Sequence, residues 1–234
     1  MDNKKGKSLI STGSSNLAKT QKLLSITQKI LSEIKPQYES IRIGNQEWMI
    51  RNLNVDRFRN GDLIAHIESK EEWDKAGRNG QPACCYYDNG PENGKKYGKL
   101  YNWFAVNDPR GLAPNGWHVP SDREWEILVE FLGGEDIAGH KMKSVEGWEE
   151  WKDKDDKIQN GNGDNSSKFN GLPGGYRDTG GSFDGIRASA VFWSATESGN
   201  CYYAWLRDLN YNLGNVIRYY NFKSVGASVR CLRD

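Results

Sequence analysis

The sequence predicts an α+β domain in which short strands and short helices are joined by long loops. Residues 216–221 alternate in character with a period of two, which is the spacing of a β-strand. Ser121-Asp-Arg-Glu124 is a capping-box pattern that opens a helix. The chain of 234 residues holds 26 Gly and 9 Trp, which is typical of a loop-rich fold on a small sheet with an aromatic core.

The N-terminal segment, residues 1–37, is predicted to combine a flexible start with an amphipathic helix at 16–34. The apolar residues of this helix recur at intervals of three and four: Leu23, Ile26, Ile30 and Ile34. Pro36 stops the helix. Two interpretations fit the stripe, namely packing on the chain's own domain, or self-association or docking to a partner.

The domain that follows, residues 38–234, begins with a predicted hairpin over Ser40–Val55 whose turn is Gly44-Asn45. Ser69-Lys-Glu-Glu72 predicts a capped short helix that contains Trp73 and ends near Gly77. Local composition then predicts a strand at 82–87, a turn-rich loop at 88–97 and a buried aromatic segment at 101–106.

The second capped helix opens at Ser121 and ends at Gly133-Gly134. Its predicted buried face consists of Trp125, Leu128, Val129 and Leu132. Residues 147–171 are rich in Asn, Gly, Asp and Lys, which predicts a long surface loop. The glycines of segments 171–178 and 180–186 predict positive φ angles and close backbone approach.

The net charge of +1 gives no electrostatic support for nucleic acid binding. No apolar run reaches the length of a membrane span, and the first residues contain no apolar signal core. These features predict a protein without a membrane span that is cytoplasmic or part of a phage particle.

The residue patterns predict no catalytic residue and no cofactor. His66, His118 and His140 do not have the spacing of metal ligands, so no metal site is predicted from them. His118 is expected to be a hydrogen-bonded structural residue. No nucleophile elbow, phosphate loop or dinucleotide-binding glycine motif is present.

A loose calcium site in residues 158–171 is the alternative that one pattern leaves open. Asn160, Asn162 and Asp164 resemble the start of a calcium-binding loop. Gly171 stands where such a loop needs a bidentate glutamate, so the pattern is incomplete.

The cysteines do not form a recognisable framework. Their spacing matches no zinc site, and two adjacent cysteines are unusual in a disulfide framework: Cys84, Cys85, Cys201 and Cys231. We expect buried or free thiols, because an unpaired cysteine packs as a small apolar residue.

Five sequence segments together resemble the Fibrobacter succinogenes major paralogous domain: WMIRNLNV, YGKLYNWFAVNDPRGLAPNGWHVPSDREWEILVEFLGG, LPGGYRD, FWSAT and SVRCLRD. The resemblance covers residues 38–234. It implies a C-type lectin-like fold of the formylglycine-generating-enzyme type, with two short helices around a twisted antiparallel sheet. The enzyme chemistry of that type needs two closely spaced cysteines, and Cys201 and Cys231 are far apart in sequence.

Residues 192–234 resemble the variable region of proteins diversified by retroelements. Such elements mutate template adenines, so that AAC codons become NNC codons, which cannot encode Lys, Glu, Gln, Met or Trp. None of these types occurs at the candidate positions, here called the variable set: Ser198, Gly199, Asn200, Cys201, Tyr202, Tyr203, Leu206, Asp208, Leu213, Ile217, Tyr219, Tyr220, Asn221, Phe222, Ser224, Val225 and Ala227. The residues between them are interpreted as scaffold, among them Trp205, Arg207, Lys223 and Arg230.

The expected function is therefore non-enzymatic binding of a protein or cell-surface ligand by a diversified C-terminal surface. Tyrosine gives a large rigid contact area, and Asn, Ser and Gly give adaptable hydrogen bonds, as in antibody paratopes. The alternative is a lectin-like module that is not diversified and binds carbohydrate or other cell-surface material. The first interpretation predicts NNC codons at the variable set, and the second does not.

Overall fold

The computed structural model describes Leu17, residues 19–24 and residues 38–234. Leu17 and residues 19–24 are helical and are named α1. The rest of the helix predicted at 16–34, with Ile26, Ile30 and Ile34, lies outside the described residues. Self-association or docking through this helix stays a prediction. In the described part of the chain, no helix is long and apolar enough to cross a membrane.

Residues 39–234 form one compact unit of short elements. Its strands are β1 (Ser40–Ile43), β2 (Gln46–Met49), β3 (Ala65–His66), β4 (Ala83–Cys85), β5 (Leu100–Tyr101), β6 (Trp117–His118), β7 (Glu150–Lys152), β8 (Ile158–Asn160), β9 (Gly174–Arg177), β10 (Phe183–Ile186), β11 (Ser189–Glu197), β12 (Tyr203–Asn210), β13 (Val216–Phe222) and β14 (Leu232–Arg233). Its helices are α2 (Lys70–Arg78), α3 (Pro91–Tyr97), α4 (Trp103–Val106), α5 (Asp122–Phe131) and α6 (Glu135–Met142), with a 3₁₀ turn at Tyr87–Asn89.

The main sheet has the strand order β10-β9-β11-β12-β13, and β1, β2, β14 and β6 form a second sheet. Two smaller sheets join β3, β4 and β5, and β7 and β8. This is a mixed α+β architecture, as predicted. The expectation of an antiparallel sheet holds for most pairs but is wrong for β9 with β11 and β3 with β4, which are parallel. These strands are brought together by the folded chain and not by a hairpin turn.

The aromatic core lies between α5, β2 and β11. The Trp48 and Trp125 rings are 4.8 Å apart, and Phe169 and Phe192 pack beside Trp125 at 5.8 and 5.7 Å. α5 begins with both bonds of a capping box between Ser121 and Glu124. All four residues predicted for its buried face are buried, so the prediction of this helix is confirmed.

Local signals also predicted the N-terminal part of the unit correctly. β1 and β2 form the expected hairpin, with Gly44 at a positive φ angle in its turn. Ser69 accepts a hydrogen bond from the Glu72 amide at the start of α2. The segment predicted to be buried at 101–106 contains part of β5 and all of α4.

Three predictions of loop or helix content are wrong. The loop predicted at 88–97 contains α3, which starts at Pro91 because proline suits the first turn of a helix. Two short helices were expected, but the structure has five between residues 70 and 142. One of the additional helices, α6, follows directly after Gly134. The surface loop predicted at 147–171 contains the β7–β8 hairpin, and both Trp148 and Phe169 are buried.

Buried arginines stabilise the loops. Arg230 donates to Asn52 Oδ1 and to the Met49 and Phe169 carbonyls. Arg177 donates to the carbonyl groups of Ile67, Glu68, Ser69 and Gly181. Because buried carbonyl groups need a donor, these side chains take the place of regular secondary structure in a loop-rich domain.

Candidate functional site

Most of the variable set lies on β12, on β13 and in the turns at their ends. In an antiparallel pair, residues directly opposite each other project from the same face of the sheet. One face carries the pairs Tyr203–Phe222, Trp205–Tyr220 and Arg207–Arg218. The opposite face carries the pairs Ala204–Asn221, Leu206–Tyr219 and Asp208–Ile217. The predicted alternation over residues 216–221 is therefore confirmed.

Arg207 and Arg218 hold β12 and β13 against the first turn of α5. Arg207 Nη1 donates to Asp122 Oδ1 at 2.7 Å, and Arg218 Nη2 donates to Asp122 Oδ2 at 2.7 Å. Burial raises the pKa of the Asp122 carboxyl, but hydrogen bonds from Arg218 and Arg207 outweigh it and leave the pKa lowered. Asp122 therefore stays ionised and fixes two neighbouring strands to one helix.

Four aromatic side chains on the Arg207–Arg218 face form a continuous surface, here called the aromatic ridge: Tyr203, Trp205, Tyr220 and Phe222. The ring centroids are 4.6 Å apart for Tyr203 and Phe222, 5.4 Å for Tyr203 and Tyr220, and 5.5 Å for Trp205 and Tyr220. Tyr220 is 55% exposed and Phe222 46% exposed. Because exposed apolar patches are where protein surfaces most often bind partners, the ridge is the candidate site on this face.

A cleft of about 690 Å³ lies beside the ridge. One wall comes from the variable set, through Cys201, Tyr202, Phe222 and Ser224. The other wall comes from the end of α2 and from neighbouring loops, with these residues: Asp74, Gly77, Arg78, Asn79, Gly80, Phe104 and Thr179. Phe222 belongs to both features, so the ridge and the cleft form one surface.

Lys223 lines the same cleft but serves the scaffold. Its ammonium group pairs with the Glu197 carboxylate and lies 4.5 Å from the centroid of the Trp103 ring. The side chain is buried. Because its charge is already compensated, Lys223 fixes the end of β13 against α4, in agreement with its interpretation as scaffold.

The opposite face carries a buried carboxyl group. Asp208 Oδ1 is enclosed and has no hydrogen-bond donor among the described residues. Burial raises the pKa of Asp208 to about 7. Burial and the neighbouring Asp208 also raise the pKa of Tyr219, and Tyr176 on β9 donates to Asp184 Oδ2 at 3.3 Å nearby. This face is more enclosed than the ridge.

Three residues of the variable set are not on the surface. Leu206 and Ala227 are 0% exposed and Val225 is 3% exposed. Leu206 pairs with Trp193 on the buried strand β11. Ala227 exchanges two backbone hydrogen bonds with Tyr101, which draws the chain after β13 into the interior. The prediction that these three residues belong to a ligand-binding surface is wrong, because the residue types allowed by a codon pattern carry no information on burial.

The remaining residues of the variable set occupy opposite ends of the strands. Ser198, Asn200 and Tyr202 lie in the turn before β12, where Asn200 Oδ1 accepts from the Tyr202 amide at 3.0 Å. Leu213 is exposed in the turn between β12 and β13, at the other end. Seven or so residues of extended strand separate the two ends by about 20 Å.

Lys143 fixes the turn that carries Leu213. Its ammonium group donates to the carbonyl groups of Asn210 at 3.0 Å and Leu213 at 2.9 Å. Burial lowers the pKa of Lys143 to about 8. The group is still protonated at neutral pH, so it can satisfy carbonyl oxygens that the turn leaves unpaired.

Sequence reasoning missed several residues of this surface. Trp205 is interpreted from the sequence as scaffold that lies between variable positions, yet its ring is part of the ridge. Phe104 and Thr179 reach the cleft from distant segments. Only the alternation of Trp205 with Ala204 and Leu206 on one strand could have indicated that Trp205 shares a face with Tyr203.

The acidic and amide residues at 160–164 have local structural partners. Asn160 Oδ1 accepts from the Asn162 amide, Asn162 Oδ1 from the Trp148 amide, and Asp164 Oδ1 from the Ser166 amide. Such side-chain bonds are typical of turns. In the described residues, no group of three or more His, Cys, Asp or Glu side chains is arranged to hold a metal ion.

His118 and the cysteines have the environments that were predicted. His118 is hydrogen-bonded to Asp234 at 2.8 Å and to Glu124 at 3.0 Å. All four cysteines are free, and Cys201 is exposed whereas the others are buried. Burial raises the pKa to about 11 for Cys84 and to about 12 for Cys85 and Cys231.

The protein is therefore a mixed α+β domain with an aromatic surface near its C-terminus, and comparison of its sequence with known families assigns it to one of them. The family model of the Fibrobacter succinogenes major domain matches residues 41–233. The chain belongs to this family. The searches of curated proteins and of solved structures found no match to this chain.

Proposed function

We propose that this chain is a non-enzymatic receptor whose C-terminal surface, within residues 192–234, is diversified by a retroelement to bind protein or other macromolecular ligands. The scaffold would be a C-type lectin-like fold of the formylglycine-generating-enzyme type. The observation that supports this most is the aromatic ridge, in which the exposed Tyr220 and Phe222 rings pack on the half-buried Tyr203 and Trp205 rings.

The division of labour within β12 and β13 favours diversification. Arg207 and Arg218 bind Asp122 and belong to the scaffold, whereas Tyr220 and Phe222 on the same face of the sheet are exposed. Exposed side chains can change with little effect on stability. A surface of this kind can therefore vary its ligand without losing its fold.

The ridge also suits the function of an interface. Tyr and Trp are the residue types that contribute most to binding when they are buried by a partner. Here they are held by ring contacts and by the Arg218 guanidinium, which reduces the entropy that binding would cost.

The coding DNA gives the first test. We expect NNC codons at the variable set and a nearby copy of the region that differs at adenines. Unbiased codons without such a copy would exclude diversification and favour the second candidate.

The second candidate is carbohydrate binding by the same ridge. Its support is the exposure of the Tyr220 and Phe222 rings, whose faces can pack on apolar sugar surfaces.

Binding measurements test the surface itself. A library of the chain varied at the exposed members of the set can be selected against a purified protein of choice. Alanine placed together at positions 202, 203 and 220 of a selected clone should weaken binding by about thirtyfold or more, since a single interface anchor contributes about 2 kcal/mol. Phe131→Ala is the matched control, because Phe131 is 62% exposed but lies on α5 outside the surface. Equal binding by both variants would exclude this assignment.

A further inference from the structure

The outer edge of β13 is an open backbone edge. β13 is the last strand in the order of the main sheet, and within the part of the chain that the structure describes it pairs only with β12. It spans Val216–Phe222, which is 7 residues or about 23 Å of strand.

The hydrogen-bond register shows which backbone groups face outward. The Lys223 amide donates to the Tyr202 carbonyl at 3.0 Å. Hydrogen-bonded positions alternate along an antiparallel pair, so Tyr219 and Asn221 bond inward to β12. The N–H and C=O groups of Arg218 and Tyr220 consequently point away from β12. No described backbone group is paired with them.

The two ends of this edge are occupied, and the middle is open. α6 packs at the start of β13, and its His140 amide donates to the carbonyl of Gly214, just before the strand, at 2.8 Å. At the far end, the Phe222 amide donates to Asn221 Oδ1 at 2.8 Å. The stretch between them offers backbone donors and acceptors to another molecule.

The edge lacks the features that normally prevent strand pairing. Edge strands are protected by lysine, proline, bulges or a covering element. Val216–Phe222 contains no lysine and no proline. Its one charged residue, Arg218, has its side chain turned to Asp122 and Trp205. The exposed residues that remain beside the edge are aromatic.

We propose that the outer edge of β13 binds an extended segment of a protein ligand, which adds as a further strand to the main sheet. Only another polypeptide backbone offers alternating N–H and C=O groups at the repeat of a strand. This inference rests on the proposed function and specifies its ligand as a protein with an extended segment.

Strand addition would divide recognition into a constant and a variable part. The hydrogen bonds of Arg218 and Tyr220 involve the backbone alone and persist whatever side chains the variable set holds. An added strand would also lie beside Tyr220 and Phe222 on the ridge and beside Tyr219 and Asn221 on the other face. These diversified side chains would then select among ligand sequences.

Comparing a proline with an alanine substitution distinguishes the contribution of the backbone N–H group to binding from that of the side chain. Tyr220→Pro and Tyr220→Ala both remove the ring, but only proline removes the outward N–H group, and the ladder to β12 stays intact. The probe is a display library of random ten-residue peptides, selected on the full wild-type chain and then synthesised. The selected peptides should bind Tyr220→Pro about tenfold more weakly than Tyr220→Ala, the effect of about one lost hydrogen bond.

Phe222 provides the matched control. Its amide is already bonded to Asn221, so Phe222→Pro and Phe222→Ala should bind these peptides equally well. Hydrogen exchange of the wild-type chain gives a readout that does not depend on the folding of any variant. The Arg218 and Tyr220 amides should exchange more slowly when peptide is bound.

Three results would overturn strand addition: equal affinities of the two Tyr220 variants, unprotected amides, or no enriched peptide. A wild-type dimer that Tyr220→Pro alone dissociates would also overturn it, by assigning the edge to a second copy. If Tyr220→Ala weakens protein binding and Tyr220→Pro weakens it no further, strand addition fails but the proposed receptor surface stands. If alanine at Tyr202, Tyr203 and Tyr220 has no effect, the receptor surface itself fails.

Discussion

The guanidinium carbon of Arg218 lies 3.5 Å from the centroid of the Trp205 ring. The same guanidinium donates to Asp122 at the start of α5, so one side chain joins an exposed aromatic surface to a buried carboxylate. Stacking on a fixed cation restricts the Trp205 ring. This contact explains how the ridge can be exposed and still have a defined shape.

Asp122 should be essential for stability. Asp122→Ala leaves Arg207 buried without its carboxylate, which should lower the free energy of unfolding by about 3 kcal/mol in urea denaturation. Asp155→Ala is the control, since Asp155 is exposed in the β7–β8 turn, and it should cost less than about 0.5 kcal/mol. A loss as small as that of the control would contradict the assigned role.

The Asp122 effect should depend on pH. Because the folded-state pKa is lowered, the stability it contributes is complete above the unfolded pKa near 3.9 and is lost as pH falls through the folded value. The difference between wild type and Asp122→Ala should therefore shrink below about pH 4. A constant difference from pH 7 to pH 3 would argue against an ionised Asp122.

Asp208 should give the opposite pH dependence. Its pKa is raised to about 7, so the folded state holds a proton that the unfolded state releases near pH 4, and stability should fall between these values. Asp208→Asn should remove this fall and stabilise the chain at pH 8 by roughly 2–4 kcal/mol. Urea denaturation of the wild type and of Asp208→Asn at pH 5 and pH 8 measures this change in the free energy of unfolding. Asp184→Asn, on the same face but exposed, should retain the wild-type dependence.

Members of the variable set should differ in their tolerance of substitution. Tyr220→Ser should change the free energy of unfolding by less than about 0.5 kcal/mol, since the residue is exposed. Leu206→Ser should cost about 4 kcal/mol, because it leaves a cavity and buries a hydroxyl group. Thermal unfolding of both variants would decide. Equal stability would mean that Leu206 does not lie in the core.

The thiols should fall into two classes. Cys201 lines the cleft and is exposed, whereas burial raises the pKa values of the other three thiols. A thiol reagent such as dithionitrobenzoate should label Cys201 rapidly in the folded chain and all four cysteines after unfolding. Cys201→Ser should abolish the rapid phase. Rapid labelling that persists in this variant would show that a buried thiol is accessible.

Features that depend on neighbouring residues could be predicted from local sequence patterns. The capping box at Ser121 and Glu124 predicted α5, because both hydrogen bonds join residues three positions apart. The alternation in 216–221 predicted β13, and Gly44 predicted the first hairpin. The family was also evident from contiguous motifs within residues 41–233.

Which residues are exposed, and which distant segments lie together, could not be predicted from local patterns. Leu206 and Ala227 have types compatible with diversification, but both are fully buried, Leu206 opposite Trp193 on β11 and Ala227 bonded to the Tyr101 backbone. Trp205 has the residue type of a core position, yet its ring is only half-buried and packs against Arg218 and Tyr220. Burial depends on what packs from elsewhere in the chain, and that information is spread over the whole fold.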